Sequence, residues 1–352
     1  MSKLLSMRLS DFEYELPKEL IAQTALSKRS EARLLVLNRA QQTIEHRTFK
    51  DIIDYFEKGD VLVLNDTKVL PARIFGKRKT GARIEILLLK KARTIWEALV
   101  KPSGRIQKGE AIEVGKAEKI TAVVVDSPNH DSGIRHLKFE GETNADEILE
   151  KIGCVPLPPY IDRKAMPIDR ELYQTVFAKR PGAVASPTAG LHFDQALLIS
   201  LRMKGVEILF VTLHVGYGTF QSVTSDDLAQ HKMHEEYFDI PEETTESINL
   251  AKTAGRSITA CGTTVVRTLE SAATNSLPSE VKPKQGTTNL FVYPPYEFKI
   301  ADRMITNFHL PRTTLLMLTS AFVGHEFLMR AYREAIQNHY RFYSYGDAML
   351  IL

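Results

Sequence analysis

Six short stretches combine glycine, proline and polar side chains in patterns that can serve chemistry. The first is Ser186-Pro-Thr-Ala-Gly-Leu-His-Phe193, just before a helical pattern. Gly190 lets backbone approach a ligand closely, and free N–H groups at a helix start attract anions. Thr188 adds a hydroxyl. His192 can be an acid, a base or a hydrogen-bond donor, and it can equally be a structural histidine in a capping turn. The second is Thr212-Leu-His-Val-Gly-Tyr-Gly-Thr-Phe220, where a strand delivers His214 into a loop with Gly216 and Gly218. The loop lacks the third glycine and the following helix of a dinucleotide fingerprint, so a Rossmann reading is rejected. His214 is either a catalytic group at a strand end or a core histidine bonded to backbone.

In His231-Lys-Met-His234-Glu235 two histidines three apart can share a helical face. The order H-x-x-H-E matches neither metallopeptidase pattern, and no third ligand is apparent. An exposed helix turn, or a substrate-facing acid–base pair, suits it better than a metal. Ala260-Cys-Gly-Thr-Thr-Val-Val-Arg-Thr-Leu-Glu270 reads as strand, glycine, two threonines and helix. Thr263 and Thr264 can cap that helix and offer N–H groups to a carboxylate or phosphate. Arg267 and Glu270 recur at helical spacing, facing the same cleft or forming a weak surface pair. Thr306-Asn-Phe-His-Leu-Pro311 carries Asn307 and His309 off a strand. Arg341-Phe-Tyr-Ser-Tyr-Gly-Asp347 offers rings and a guanidinium that can stack on or clamp a base, or else a packed turn. No Walker loop, G-x-S-x-G elbow or deaminase signature occurs.

These stretches need a scaffold that brings strand ends together. Strands are expected at 33–38 and 61–64, with a helical patch at 48–56 between them. From 67 to 141 the character changes to short β-branched runs at 73–75, 83–89, 95–100, 111–114, 120–125 and 134–139, parted by turn residues. That pattern predicts a small antiparallel barrel or sandwich. Asn144 and Glu147 form a capping-box signature for a helix over 145–152 that stops at Gly153. The prolines of Val155-Pro-Leu-Pro-Pro-Tyr-Ile161 force an extended return path.

Beyond residue 173 strands and helices alternate. Helices are expected at 194–201, 242–254, 264–273, 313–322 and 326–339. Strands are expected at 206–213, 258–260, 291–293, 304–306 and 348–352. The polar stretch 275–288 reads as the most mobile loop. The expectation is an α/β, barrel-like core domain of residues 1–66 plus 153–352, interrupted by a basic β-barrel domain of residues 67–152.

Charge is unevenly shared. Residues 68–108 hold twelve Lys or Arg and two Glu, or +10, while the whole chain carries +3. The remainder therefore sums to −7. Such asymmetry suggests that the inserted module faces a polyanion, with Lys77, Arg78, Lys79, Lys90, Lys91 and Arg93 as candidate contacts. A solvated basic face with no partner is the alternative. Two distant cysteines, Cys154 and Cys261, argue against a disulfide framework or a cysteine zinc site. The first residues lack the apolar core and cleavage site of a signal peptide, and no apolar run reaches membrane-spanning length. A cytoplasmic chain free of membrane is expected, acting as a monomer.

DFEYELP (11–17), RSEARLLVL (29–37), NDTKVLPARIFG (65–76), VPLPPYI (155–161) and RELYQTVFA (170–178) then acquire a shared meaning. So do GAVASPTAGLHF (182–193), VTLHVGYGTF (211–220), HKMHEE (231–236), CGTTVVRTLES (261–271), TNFHLP (306–311) and YRFYSYGDAML (340–350). In this order, over nearly the whole chain, they resemble the S-adenosylmethionine:tRNA ribosyltransferase-isomerases of queuosine biosynthesis. The resemblance implies transfer and rearrangement of the ribosyl group of S-adenosylmethionine onto 7-aminomethyl-7-deazaguanine in the tRNA anticodon. Epoxyqueuosine is left, and adenine and methionine depart. S-adenosylmethionine is then a consumed co-substrate, with no tightly bound cofactor and no metal. An α/β core carrying an inserted β-barrel is the fold it implies.

Within that reaction the sulfonium acidifies the C5′ hydrogens, and a positioned base can remove one. His214 and His192 lead as candidates, with Glu235 behind them. His234, His309 or Asp347 can assist departing adenine. Thr263, Thr264 and Arg267 can hold the methionine carboxylate. Thr188, Gly190, Gly216, Gly218, Glu270 and Asn307 complete the expected binding set. Four positions depart from the family pattern: Tyr217 where Ala is expected, Val265 for Ser, Ser186 for Ala and Lys68 for Arg. The loss of a hydroxyl at Val265 bears on the proposed helix N-terminus. Two other classes stand beside this reading. A non-catalytic RNA-binding protein would need the basic module but not the histidines, and a metal-dependent hydrolase would need bound metal.

Overall fold

The computed structural model describes residues 7–104, 106–115, 120–129, 133–141, 145–220, 223 and 225–352. Arg105 of the basic segment and Asn144, the expected helix cap, lie outside the described residues. The chain forms β1 (Arg33–Asn38), β2 (Thr43–Thr48), a 3-10 turn over Phe49–Tyr55, and β3 (Val61–Asn65). Along β1 and β3, Leu34 and Leu62 enter one apolar cluster while Leu35 and Val63 enter another on the opposite face. Burial on both faces is why these strands read as unbroken apolar runs.

After β4 (Thr67–Val69) come β5 (Arg73–Arg78), β6 (Arg83–Ala92), β7 (Ile95–Lys101), β8 (Ala111–Val114), β9 (Ile120–Asn129) and β10 (Ile134–Phe139). They close into a barrel in the order β10-β7-β6-β5-β8-β9, which leaves no free edge. Alternate residues such as Ile74, Ile86, Val100, Ile112 and Val124 fill its centre. Helix α1 (Ala145–Ile152) adds Ile148 and Leu149 to the same cluster.

The return path runs through α2 (Asp169–Leu172) and β11 (Arg180–Ala183), and β11 pairs in parallel with β4. Next are α3 (Gln195–Lys204), β12 (Glu207–Leu213), β13 (Glu236–Ile240), α4 (Glu242–Thr253), β14 (Ile258–Cys261) and α5 (Thr263–Ala272). The chain ends with β15 (Lys284–Thr288), β16 (Arg303–Asn307), α6 (Thr314–Val323), α7 (His325–Gln337) and β17 (Ala348–Ile351). Asp194 caps α3 by accepting from Leu197 N–H at 2.8 Å, and left-handed Gly205 ends it.

The main sheet has the order β15-β13-β12-β3-β14-β16-β17-β1-β2. Strands β12, β3, β14 and β16 are parallel. Their C-terminal ends, at Leu213, Asn65, Cys261 and Asn307, therefore share one edge of the sheet. β17 is antiparallel to β16 and pairs Ala348 with Asn307, so the segment before β17 reaches that edge too. The α/β core with an inserted antiparallel barrel is the expected architecture. The core sheet has two edges, β15 and β2, and closure belongs to the insertion.

Several local expectations need correction. Residues 284–288, inside the expected mobile loop, form edge strand β15 on β13. Their polar composition suits an edge, where one side faces water. Residues 291–293 are not a strand; Pro294 and Pro295 follow, and neither can donate to a ladder. Residues 231–235 carry no regular secondary structure, so His231 and His234 share no helix face. Gly262, not a threonine side chain, caps α5, and Thr263 and Thr264 are its first two residues.

Candidate active site

A cavity opens at the C-terminal edge of the parallel strands, where open α/β sheets bind ligands. It holds about 760 Å³ of atom-free space continuous with solvent. The turn at 185–189 forms one wall, and Gly262, Thr263 and Thr264 a second. The 306–310 segment leaving β16 forms a third, with Tyr160, Tyr343 and Ser344 closing the ring. Among the described residues no Asp, Glu, Lys or Arg lines it. Its polarity is hydroxyl, amide, imidazole and backbone.

Two asparagines tie these walls together. Asn65 Oδ1 accepts from the N–H groups of Thr67 at 3.1 Å and Leu213 at 3.0 Å. Its Nδ2 donates to Leu213 C=O at 3.0 Å and Thr264 Oγ1 at 3.3 Å. One side chain thus joins β3, β12 and α5. Asn307 accepts from Thr188 Oγ1 at 2.9 Å, and its Nδ2 donates to Tyr343 C=O at 3.2 Å and to His192 Nε2 at 3.1 Å. Asn65 lies in a segment that carries the family resemblance but is not among the candidate residues. Its signal is an amide at the end of an apolar strand, where backbone polar groups need partners.

Burial decides the protonation of the histidines here. His192 is 5% exposed, its ring tilted against Phe49, and its pKa is pushed down to about 3 by burial, with Arg341 and Arg29 adding. It is a neutral acceptor that orients Asn307, and it lines a smaller neighbouring cavity that shares Ser344 with the first. A base so hard to protonate is weak near neutrality, which moves His192 from proton transfer to positioning. His309 lines the main cavity and is held neutral the same way, at about 3. Its ring lies between Thr306 Oγ1 and Thr319 Oγ1, both at 3.2 Å.

His214 is half-buried and sits on the rim. Its Nδ1 meets Thr67 Oγ1 at 2.8 Å, and its ring stacks on Tyr237. Burial lowers its pKa and Arg180 adds to this, while Asp66 opposes it. A Cβ at Gly182 would fall 2.5 Å from His214 Nε2, so the missing side chain keeps that nitrogen uncovered. Val215 lines the main cavity, although His214 itself does not. His192 is one hydrogen bond and His214 one residue from the cavity lining, while Arg267 connects to it only through Glu236 and Gly216, so the three do not point into it together.

The expected charged groups have other occupations. Arg267 forms a buried ion pair with Glu236 and donates to Leu290 C=O at 3.0 Å. Glu236 in turn accepts from Gly216 N–H at 2.8 Å, so Arg267 fixes the glycine-rich loop instead of facing the cleft. Glu270 accepts from Lys299 N–H at 2.9 Å and Ile300 N–H at 3.0 Å, anchoring a loop away from the cavity. Asp347 accepts from Arg33 N–H at 2.9 Å and Arg341 N–H at 2.8 Å, and burial raises its pKa. It shapes the turn before β17. The signal that sequence spacing missed is backbone demand: loops ending at an edge recruit carboxylates to their N–H groups.

Among the remaining candidates, Gly190 packs under Phe177 and Thr175, where a Cβ would come within 2.9 Å of each. Gly218 leaves room for the exposed His234, and Glu235 is exposed beside it. Among the described residues no group of three His, Cys, Asp or Glu is placed to hold a metal ion. Tyr217 packs on the barrel's apolar cluster and so joins the glycine-rich loop to the insertion. Val265 is fully buried in the core, so that departure from the family pattern does not touch the cavity.

The barrel's cations divide into two groups. Lys77, in β5, and Lys79, in the turn after it, sit at the β5–β6 connection, and Lys90 and Lys91, with Arg93 just beyond, occupy the other end of β6. The latter end lies towards Arg73, where the barrel bridges to Cys154 of the core. Arg78 is paired bidentately with Glu110, so its charge is offset and it is a weaker candidate than expected. On the outward face of β5, Phe75 is 51% exposed between Arg73 and Lys77, an aromatic that a charge count passes over.

Known proteins complete the picture. The pattern of the queuosine biosynthesis protein family matches residues 9–351. The S-adenosylmethionine:tRNA ribosyltransferase-isomerase of Sulfurihydrogenibium sp. (strain YO3AOP1) is 50% identical over 348 residues, covering 98% of this chain and 100% of that protein. Its namesake from Thermotoga maritima is 49% identical over 347 residues, with the same coverage. The crystal structure of S-adenosylmethionine tRNA ribosyltransferase from Thermotoga maritima, at 2.00 Å resolution, shares the fold with a TM-score of 0.56 and 41% identity. That match covers 97% of this chain and 100% of the other. With a full-length pattern match, full-length relatives and a shared fold, this chain belongs to the queuosine biosynthesis protein family.

Proposed function

We propose that this chain transfers and isomerises the ribosyl group of S-adenosylmethionine onto 7-aminomethyl-7-deazaguanine at the wobble position of a tRNA anticodon. Adenine and methionine leave, and epoxyqueuosine-tRNA is the product. The observation that carries this reading is the uncharged cavity at the sheet's C-terminal edge, bordered by a half-buried histidine and joined through Tyr217 to a basic barrel. S-adenosylmethionine is a consumed co-substrate in this scheme, and no resident cofactor or metal takes part.

His214 is the proposed base. With Nδ1–H donated to Thr67 Oγ1, the Nε2 lone pair beside Gly182 is left free to take a C5′ proton. Its lowered pKa keeps the ring neutral, and so able to accept, at pH 7. His309 is a neutral hydrogen-bond partner for adenine at the cavity wall. His234 and Glu235, exposed beside the glycine-rich loop, meet the incoming nucleotide in this scheme rather than the buried end; their exposure supports that role.

The division into a core of residues 1–66 plus 153–352 and a tRNA-facing module of residues 67–152 belongs to the same proposal. Phosphates meet the lysines at the ends of β6, and Phe75 offers a ring on which a loop base can stack. The protein works as a cytoplasmic monomer; no helix among the described residues is long and apolar enough to cross a membrane. The test is adenine release from S-adenosylmethionine, followed by chromatography. Release should require tRNA carrying the aminomethyl base and stop with unmodified tRNA. Release that ignores the modified base, or none with any tRNA, overturns the assignment.

A further inference from the structure

The cavity presents hydroxyl groups on every wall, and most already have partners. Thr188 Oγ1 donates to Asn307, Thr264 Oγ1 accepts from Asn65, and Thr306 Oγ1 meets His309. Thr313 Oγ1 donates to Leu310 C=O, and Ser344 Oγ pairs with Tyr160. Ser186 differs. It lines the cavity, is only 5% exposed, and its Oγ has no hydrogen-bond partner among the described residues. A buried hydroxyl left unpaired is costly, so it points to a group that is supplied with the ligand.

Beside the 185–189 turn stands the N-terminus of α5, a ten-residue helix capped only by Gly262, where an added Cβ would fall 3.7 Å from Ala189 Cβ. Thr263 and Thr264 are its first two residues, and their N–H groups fall among the orphan donors of a helix start. Such an end carries partial positive charge and favours an anion. Among the described residues no basic side chain lines the cavity, and the guanidinium that spacing suggested, Arg267, is paired with Glu236. The donors that the described residues offer an anion here are neutral.

We infer that Ser186 and the N-terminus of α5 form the subsite for the α-carboxylate of the methionyl end of S-adenosylmethionine. The inference rests on the proposed reading of the cavity as the S-adenosylmethionine site, and it adds a specificity residue to it. Ser186 donates one hydrogen bond to a carboxylate oxygen, and the helix end holds the other. The remainder of the ligand then extends towards Tyr160 and Tyr343, which also line the cavity and whose ring centroids lie 4.8 Å apart.

The experiment compares S-adenosylmethionine with its decarboxylated analogue in calorimetric titrations of the full chain. A hydrogen bond to a charged group is worth roughly tenfold or more in affinity. Ser186→Ala should weaken S-adenosylmethionine by roughly that factor and leave the decarboxylated analogue unchanged. The same variant should melt no lower than wild type without ligand, because it removes an unsatisfied hydroxyl. Leu315→Trp, which narrows the cavity from a partly exposed position, should weaken both ligands. If Leu315→Trp weakens both while Ser186→Ala weakens neither, or weakens both equally, the carboxylate subsite is wrong and the cavity reading stands. If neither variant affects either ligand, the cavity reading itself fails, and the subsite with it.

Discussion

The sheet edge and the inserted barrel use polar residues in opposite ways. At the edge, histidine, asparagine and serine are withdrawn from water, and their chemistry is set by a few fixed neighbours. His192 and His309 are neutral because they are buried, and Asn307 has its direction from the groups it binds. On the barrel, lysines stand in solvent and act through a shared field, whatever their individual rotamers. One region depends on ångström-scale placement and the other on net charge. Substitutions in the first should therefore change rate and pH response, and substitutions in the second should change salt response.

The sharpest test of this contrast is His214→Ala. Loss of a positioned base costs about 10² to 10⁴ in rate. Single-turnover measurements at saturating tRNA should show that loss with the salt dependence of tRNA binding unchanged. A near-wild-type rate would remove His214 from proton transfer. Gly182→Ala should imitate the loss, since its methyl group would cover Nε2.

The next effect concerns stability. His192 and His309 have folded pKa values of about 3, against an ordinary value of 6.5. Between those values the unfolded chain binds more protons than the native one, so stability is full above about pH 6.5 and falls as pH drops. Each imidazole should cost about 1.4 kcal/mol per pH unit, or about 2 kcal/mol by pH 5. Asp347, with its carboxyl raised by burial, works with the opposite sign. Urea midpoints of wild type and His309→Gln at pH 7 and pH 5 isolate the imidazole, and the variant should lose less on acidification. Equal losses would show that burial does not control these rings.

The smallest effect belongs to the barrel. Reversing Lys90 and Lys91 to Glu should raise the KM for tRNA roughly tenfold. It should also flatten the salt dependence by about 0.7 to 0.9 for each phosphate that is no longer neutralised. kcat should not change. Lys77→Glu with Lys79→Glu tests the opposite end of β6, and Arg78→Glu should act mainly through Glu110. If both double variants leave binding intact, RNA docks elsewhere and the comparison between the two regions loses its second half.

Much of the architecture was legible because local patterns and tertiary context agree. β1, β8 and β10 fall at their expected bounds, since apolar runs and turn residues mark both ends. β15 was hidden, because an edge strand needs little apolar surface and its pairing partner, β13, is distant in sequence. The cleft was half legible. Glycine-rich turns and histidines identified its segments, and Thr188, Thr263, Thr264, Asn307 and His309 do line it. Arg267, Glu270 and Asp347 share its segments but not its surface, because backbone N–H groups and Glu236 claim them.

The chain's own order of residues determined the strand and helix pattern, the interruption by a basic β module, and the family to which the whole belongs. These follow from short-range periodicity, turn chemistry and summed charge, which need no knowledge of distant neighbours. Tertiary structure alone decided which polar groups are free. Whether a histidine is a base or a neutral prop, and whether a serine is satisfied or waiting, depends on burial and on partners far away in the chain. Those terms exceed any local preference, and they arise only when the parallel strands bring their ends to one edge.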